Sequence, residues 1–260
     1  MARVSVDYQD HVAHVTLTRG DKMNALDDAM VKAIVAAGQE VAASDARAVV
    51  LAGEGRSFCA GLDFASFMQM GNMNPEEWLM TRSHEDANEM QEIAMVWRRV
   101  PVPVIAAVQG HVYGGGLQLA LGADVRIAAP DAKLSLMEMK WGLVPDLGGM
   151  ALLPQLVRSD VLRLMTYTAR PFAARQALDW GLVTEIHDDP LGAAQDLATE
   201  IAGKSPSAIR AAKRLIGVAE QADRATVLLT ESRESVGLIG RKHQLEAVAA
   251  NMQGREPNFD

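Results

Sequence analysis

Apolar and polar positions alternate with a period of two at the start of the chain, where Val4, Val6, Val12, His14, Thr16 and Thr18 flank the polar stretch Gln9-Asp10-His11. That alternation marks half-buried strands, and the interruption predicts an N-terminal hairpin. The period then lengthens. Met30, Ile34, Ala37 and Val41 recur at spacings of three and four, which predicts a helix to about Ala43 with Asp27 as its cap. A continuous apolar run, Ala46 to Leu51, reads as a buried strand bounded by Gly53. After a polar segment come a long helix from about Pro75 to Arg99 and a second buried strand, Val104 to Val108, ending at Gly110. Asp124 to Ala128 and the short run Leu134 to Leu136 complete the strand-forming part. Strands alternating with helices predict an α/β core.

From Leu147 onward the helical period dominates, with one strand-like segment at Leu182 to Ile186. Helices are expected over Leu152 to Tyr167, Ala173 to Trp180, Leu191 to Ala202, Pro206 to Ala219, and from Gln221 to the end. Their Met and Leu stripes read as packing faces, because half-buried helices carry such stripes by default.

Composition narrows the partners. The 260 residues are 49% hydrophobic and 22% charged, an ordinary globular balance, and a chain of this size buries about 75% of its unfolded surface. Lys and Arg number 25 against 33 Asp and Glu, for a net charge of −8. Nucleic acid is therefore not an expected partner, since phosphate binding needs a basic face. The single cysteine, Cys59, allows no intramolecular disulfide and suits a reducing compartment. Met1 to Asp10 lacks an apolar signal core, and no apolar run reaches the roughly 18 residues of a membrane span. A cytoplasmic protein with no membrane partner is expected.

Common chemical motifs are missing. There is no G-x-x-x-x-G-K-[ST] loop, and Gly114-Gly115-Gly116 does not extend to G-x-G-x-x-G. The stretch nearest to G-x-S-x-G, Gly55 to Cys59, ends in Cys instead of Gly. No metal site is expected, because His84 and His111 have no partner at ligand spacing. Two glycine-bearing turns remain: Phe58-Cys59-Ala60-Gly61-Leu62-Asp63, and Gly110 to Gln118 with its three consecutive glycines. Each by itself is equally a tight connection. Together they offer exposed backbone N–H groups, one set at a helix start, where negative charge is stabilised.

Those turns, with Asn24-Ala25-Leu26, with Asp124 four residues before a β-like run ends, and with Gly142-Leu143-Val144-Pro145, resemble the enoyl-CoA hydratase/isomerase (crotonase) family. The similarity extends into the tail at Glu246-Ala247 and Phe259. It implies a ClpP/crotonase-like coil of strand and helix turns over residues 1–196. It implies also a helical region, 197–260, covering the active site or a neighbouring subunit in a homotrimer or homohexamer. Coenzyme A would be part of an acyl-CoA substrate, with no prosthetic group. By the resemblance, the N–H groups of Leu62 and Gly115 form an oxyanion hole, which stabilises an enolate by several kcal/mol. Backbone near Cys59 and Ala60 would bind adenine, and Lys22, Met23 and Ala25 would line the CoA path. Arg19, Lys22 and Arg56 are the local cations its phosphates would need, although each taken singly reads first as a solvated surface charge.

The acid/base positions sort the reactions of that family. Where its hydratases carry two glutamates, this chain has Gln118 and Glu138. An amide neither takes nor delivers a proton at neutral pH. Glu138, among Leu136, Met137 and Met139, is a carboxyl whose burial would bring it toward working pH. Asp146 lies eight residues on, the separation of the Glu/Asp pair in dienoyl-CoA isomerases of the family; it is equally readable as a cap for the following helix. Enoyl- or dienoyl-CoA isomerisation by Glu138, assisted by Asp146, is the expected reaction. Hydration with Gln118 holding the water is the alternative, and a non-catalytic acyl-CoA binder is a second. A dehalogenase reading needs His where Gln91 stands and Trp where Glu138 stands. Residues 64–85 are expected to shape the acyl pocket.

Overall fold

The computed structural model describes residues 2–70 and 74–260. Strands β1 (Val4–Gln9) and β2 (Val12–Leu17) form the expected antiparallel hairpin, with Gln9 opposite Val12. Its two turn residues, Asp10 and His11, have φ of 48° and 64°. This is the left-handed pair that matches strand twist in a two-residue hairpin. Helix α1 (Asp28–Ala42) begins where the Asp27 side chain accepts from the Met30 N–H at 2.8 Å. It is followed by β3 (Ala48–Gly53), α2 (Phe64–Met70), α3 (Pro75–Met80) and α4 (Glu89–Arg99).

The single helix expected over 75–99 is therefore two. Asn88 opens α4 with a reciprocal cap, its side chain accepting from Gln91 N–H while the Gln91 side chain accepts from Asn88 N–H. That pairing nucleates a new helix more favourably than it continues an old one. Residues 71–73, within the segment expected to shape the acyl pocket, lie outside the described residues.

The chain continues through β4 (Val104–Val108), β5 (His111–Tyr113), α5 (Gly115–Leu121), β6 (Val125–Ala128) and β7 (Lys133–Ser135). Next come α6 (Gly149–Leu156), α7 (Ser159–Thr168), β8 (Phe172–Ala173), α8 (Ala174–Trp180) and β9 (Glu185–Ile186). Two sequence expectations are corrected here. The helix expected over 152–167 is broken at Val157 and Arg158, whose extended backbone ends α6 and restarts the chain as α7. Only the last two residues of the expected strand 182–186 pair, beside β6.

One sheet has the order β1-β2-β3-β4-β6-β9 and is parallel from β2 onward; β5, β7 and β8 form a second. Both faces of the larger sheet are covered, and β3 demonstrates how. Val49 and Leu51 pack with Ile34, Ile93 and Trp97 from α1 and α4. Ala48, Val50 and Ala52 pack on the other face with Ile105, Ile127 and three alanines, Ala194, Ala198 and Ala202. Successive side chains point to opposite faces, so a strand buried on both sides reads as an unbroken apolar run. The alanines belong to α9 (Pro190–Ala202), and the expected division at 196/197 falls inside this sheet-covering helix.

The remaining helices are α10 (Pro206–Ala219), α11 (Arg224–Leu238) and α12 (Lys242–Gln253). Lys213 of α10 donates to Trp97 O, Val102 O and Asp124 Oδ2, at 3.2, 2.8 and 2.7 Å. Asp124 also accepts from Val104 N–H, so this residue of the family pattern is a strut between sheet and helical region. Leu228, Leu229, Val236, Leu245 and Val248 on α11 and α12 are exposed. Among the described residues no helix is long and apolar enough to cross a membrane.

Candidate active site

The first glycine-bearing turn is held edge-on by the segment before α1. Leu26 N–H donates to Gly61 O at 2.8 Å, and Asp63 N–H donates to Leu26 O at 2.9 Å. In an extended segment the flanking groups then face Leu26, and the N–H of Leu62 faces the opposite side. Gly61 has φ +91°, and a Cβ there would lie 2.7 Å from Tyr113 O and 3.7 Å from Gly115 N. Only glycine permits this approach, which brings the two turns together. Gly115 is the first residue of α5, so its N–H has no intrahelical acceptor. Neither Leu62 N–H nor Gly115 N–H is spent on a hydrogen bond among the described residues.

Both turns line a cavity of about 320 Å³ together with Phe64, Tyr113, Met137, Glu138 and Trp141. Glu138 begins a single 3-10 turn, Glu138–Trp141, after β7 and is 8% exposed. Its Oε1 accepts from Gln118 Nε2 at 2.6 Å, while its Oε2 is buried without a partner among the described residues. Burial pushes this carboxyl above the ordinary carboxylate range. Hydrogen bonds from its own backbone and from Gln118 oppose the rise, and nearby Asp146 adds to it.

Gln118, from α5, is fully buried. Its Oε1 accepts from the N–H groups of Leu147 and Gly149, at 2.9 and 3.0 Å. Asp146 precedes that turn and is itself raised by burial. It does not cap α6, whose N-cap is Gly148. Asp146 lines a neighbouring cavity with Arg82, Gln91 and Met95, so its link to Glu138 runs through charge.

The expected CoA-side residues cluster at the other edge. Lys22 is exposed on the turn Gly20–Lys22, and Met23 and Asn24 follow with φ of 51° and 52°. The buried Asn24 side chain accepts from Arg19 N–H and donates toward the carbonyls of Glu54, Ser57 and Phe58, fixing this loop against the Cys59 turn. Cys59 is buried, its thiol donating to Asn24 O and pushed up to about 12 by burial. Its backbone N–H and C=O bond His111 and Tyr113, and Ala60 N–H donates to Met23 O. Ala25 O accepts from Arg19 at 3.0 Å. Arg19 itself is only 15% exposed and pairs with Asp63 at 2.8 Å and Asp27 at 3.3 Å. It is thus an internal strut, neither a solvated charge nor an open phosphate ligand, whereas Lys22 and Arg56 are exposed.

Phe64 on the cavity wall falls in the segment expected to shape the acyl pocket, whereas sequence reasoning missed Tyr113 and Trp141. A lone aromatic beside glycine carries no local pattern, and only the fold turns these two toward a cavity.

Two unpaired main-chain donors beside a buried carboxylate with one unpaired oxygen form an arrangement able to hold a carbonyl oxygen while a proton moves. The enoyl-CoA hydratase/isomerase family model matches residues 7–260, and the chain belongs to that family. Its relatives include the mitochondrial Delta(3,5)-Delta(2,4)-dienoyl-CoA isomerase of Mus musculus, 34% identical over 221 residues. That match covers 79% of this chain and 65% of the mouse protein, so the chain spans just under two thirds of that relative's length. The (E)-benzylidenesuccinyl-CoA hydratase of Thauera aromatica is 32% identical over 215 residues, 81% of this chain and 80% of that protein. Among solved structures, an enoyl-CoA hydratase from Bacillus anthracis superposes with a TM-score of 0.88 at 32% identity, covering 99% of this chain and 98% of that one.

Proposed function

We propose that the protein isomerises a carbon–carbon double bond in an enoyl- or dienoyl-CoA. The observation that carries this reading is the pairing of Gln118 with Glu138: one carboxylate has an unpaired oxygen, and the other position is an amide with its oxygen occupied. Ionised Glu138 removes a proton from a carbon conjugated with the thioester. The electron pair moves through the carbon chain to the thioester oxygen, where Leu62 and Gly115 N–H groups hold the negative charge. Collapse of that enolate returns the proton from Glu138 to a different carbon, so no atom is gained or lost. Asp146 assists through its charge, which adds to the rise that burial gives the Glu138 carboxyl.

Relatives named as an isomerase and as hydratases fit a common enolate step. Water addition additionally needs a group to activate water, and the Gln118 oxygen already accepts two N–H groups. Coenzyme A enters as part of the substrate, with Cys59, Ala60, Met23 and Ala25 along its path and Lys22 and Arg56 as the exposed cations near its phosphates. The buried lone thiol suits the cytoplasm, and the exposed apolar residues of α11 and α12 suit a homotrimer or homohexamer in which residues 197–260 cover the active site or a neighbour. Product analysis after incubation with 2-enoyl, 3-enoyl and 3,5-dienoyl thioesters tests the reading: double-bond migration is expected, and hydroxyacyl product alone would replace it with hydration. Binding without any turnover would leave an acyl-CoA binder.

A further inference from the structure

The orientation of the Gln118 amide is dictated by its neighbours. Leu147 and Gly149 both present N–H donors to one end of it, and only an oxygen accepts from two donors. The nitrogen must therefore sit at the other end, 2.6 Å from Glu138 Oε1. Gln118 is 0% exposed, and Glu138, on the cavity wall, only 8%. Of the two Glu138 oxygens, one is held by an amide donor and the other has no partner among the described residues.

We infer that Gln118 is a positioning residue that divides the work of Glu138, pinning Oε1 so that Oε2 alone carries the proton, and tying that carboxylate to the turn that bears Asp146. The inference rests on the proposed proton transfer by Glu138 and adds which atom performs it and what aims it. An amide suits this task because it supplies a donor and an acceptor at fixed ends with no charge of its own. A carboxylate at the same place would still accept from Leu147 and Gly149 N–H, but it would offer an oxygen, not a donor, to Oε1. Two carboxylates at that separation hold one proton between them. The paired N–H groups favour charge on residue 118, so the shared proton would reside on Glu138. Glu138 would then be protonated at neutral pH and lost as a base.

Gln118→Glu separates positioning from plain packing, because it keeps the two backbone contacts and changes only what Glu138 meets. Deuterium exchange into an acyl-CoA is measured against pH, alongside an infrared titration of the Glu138 carboxyl isolated by subtracting the Glu138→Gln spectrum. The groups around Glu138 that also titrate or carry charge are Asp146, Tyr113 of β5 and Lys140 on its own turn, and none is altered. We expect a Gln118→Glu protein with native circular dichroism, a Glu138 midpoint raised by at least about one pH unit, and exchange at neutral pH reduced about tenfold or more, one unit being a factor of ten. If Gln118→Glu does not fold, Gln118→Met is titrated instead; losing the amide donor raises the midpoint in the same direction. A midpoint and pH profile unchanged from the native protein would overturn the inference. If the native protein exchanges no deuterium, it is the isomerase reading that fails, and the infrared midpoint still decides whether Gln118 governs Glu138.

Discussion

Arg19 reaches Asp63 at 2.8 Å, one residue beyond Leu62, so a partly buried charge pair braces the strand-like segment that presents the proposed Leu62 donor. Burial alone would raise the Asp63 carboxyl. Backbone N–H groups and the Arg19 guanidinium more than offset this and hold it below the ordinary value. The contribution to stability is present above the unfolded-state value and is lost as pH falls through the depressed one.

Arg19→Met should therefore lower kcat about tenfold or more while leaving the affinity for free coenzyme A within twofold. A misplaced donor weakens the transition state more than the ground state. Calorimetric titration beside steady-state kinetics checks the split; a large loss of coenzyme A affinity would return Arg19 to the phosphate site.

Gly115→Pro should reduce turnover by at least about 100-fold, since loss of one oxyanion donor costs roughly 2.7–4 kcal/mol. Position 115 opens α5, where proline is tolerated because that N–H has no helical acceptor. The added ring meets flexible Leu26 and Leu147 side-chain ends, so circular dichroism accompanies the assay. A folded variant with most of its turnover removes Gly115 from the site.

Glu138→Gln should abolish deuterium uptake into the acyl group with thioester affinity changed only a few-fold. It should also stabilise the protein. A carboxyl whose folded value is raised favours the fold below its unfolded value, and that contribution is lost as pH rises through the folded one. The gain in Tm over the native protein should thus be larger at pH 8 than at pH 4. Thermal melts at both values decide this, and a constant difference would show that burial does not raise Glu138.

Lys213→Met should lower stability by about 1.5–3 kcal/mol, the range for hydrogen bonds to a charged group. It removes donors to Trp97 O, Val102 O and Asp124 and frees α10 from the sheet. Urea denaturation measures the loss, and hydrogen exchange should locate it in α10. An unchanged midpoint would mean that α10 is held by its apolar face alone.

Local pattern carried much of this fold. The period-two alternation of β2, the unbroken apolar run of β3 and the Asp27 cap each express a physical rule within a few residues. The split between α3 and α4 was written just as locally, in Asn88 and Gln91, but the surrounding helical period masked it. The glycine turns pointed to unpaired N–H groups in these two segments, and the resemblance assigned them to Leu62 and Gly115. The partners of their neighbours were not legible, because they lie far along the chain: Gln118 meets Leu147 and Gly149 across separations of 29 and 31 residues. Arg19 looked like any surface cation until folding placed Asp63 against it. Charge type is visible in a sequence, but the company a charge keeps is set by topology.

Cys59 sits at the joint of the two glycine-bearing turns, with its thiol held protonated by burial and bonded to Asn24. A thiolate is the reactive species toward alkylating reagents, so the native protein should be silent to them, and every labelled molecule must first have opened that joint. The lone thiol is therefore a built-in stopwatch. Its modification rate clocks how often the seam between the two turns parts, with no probe introduced, and a bound thioester that clamps the seam would slow it.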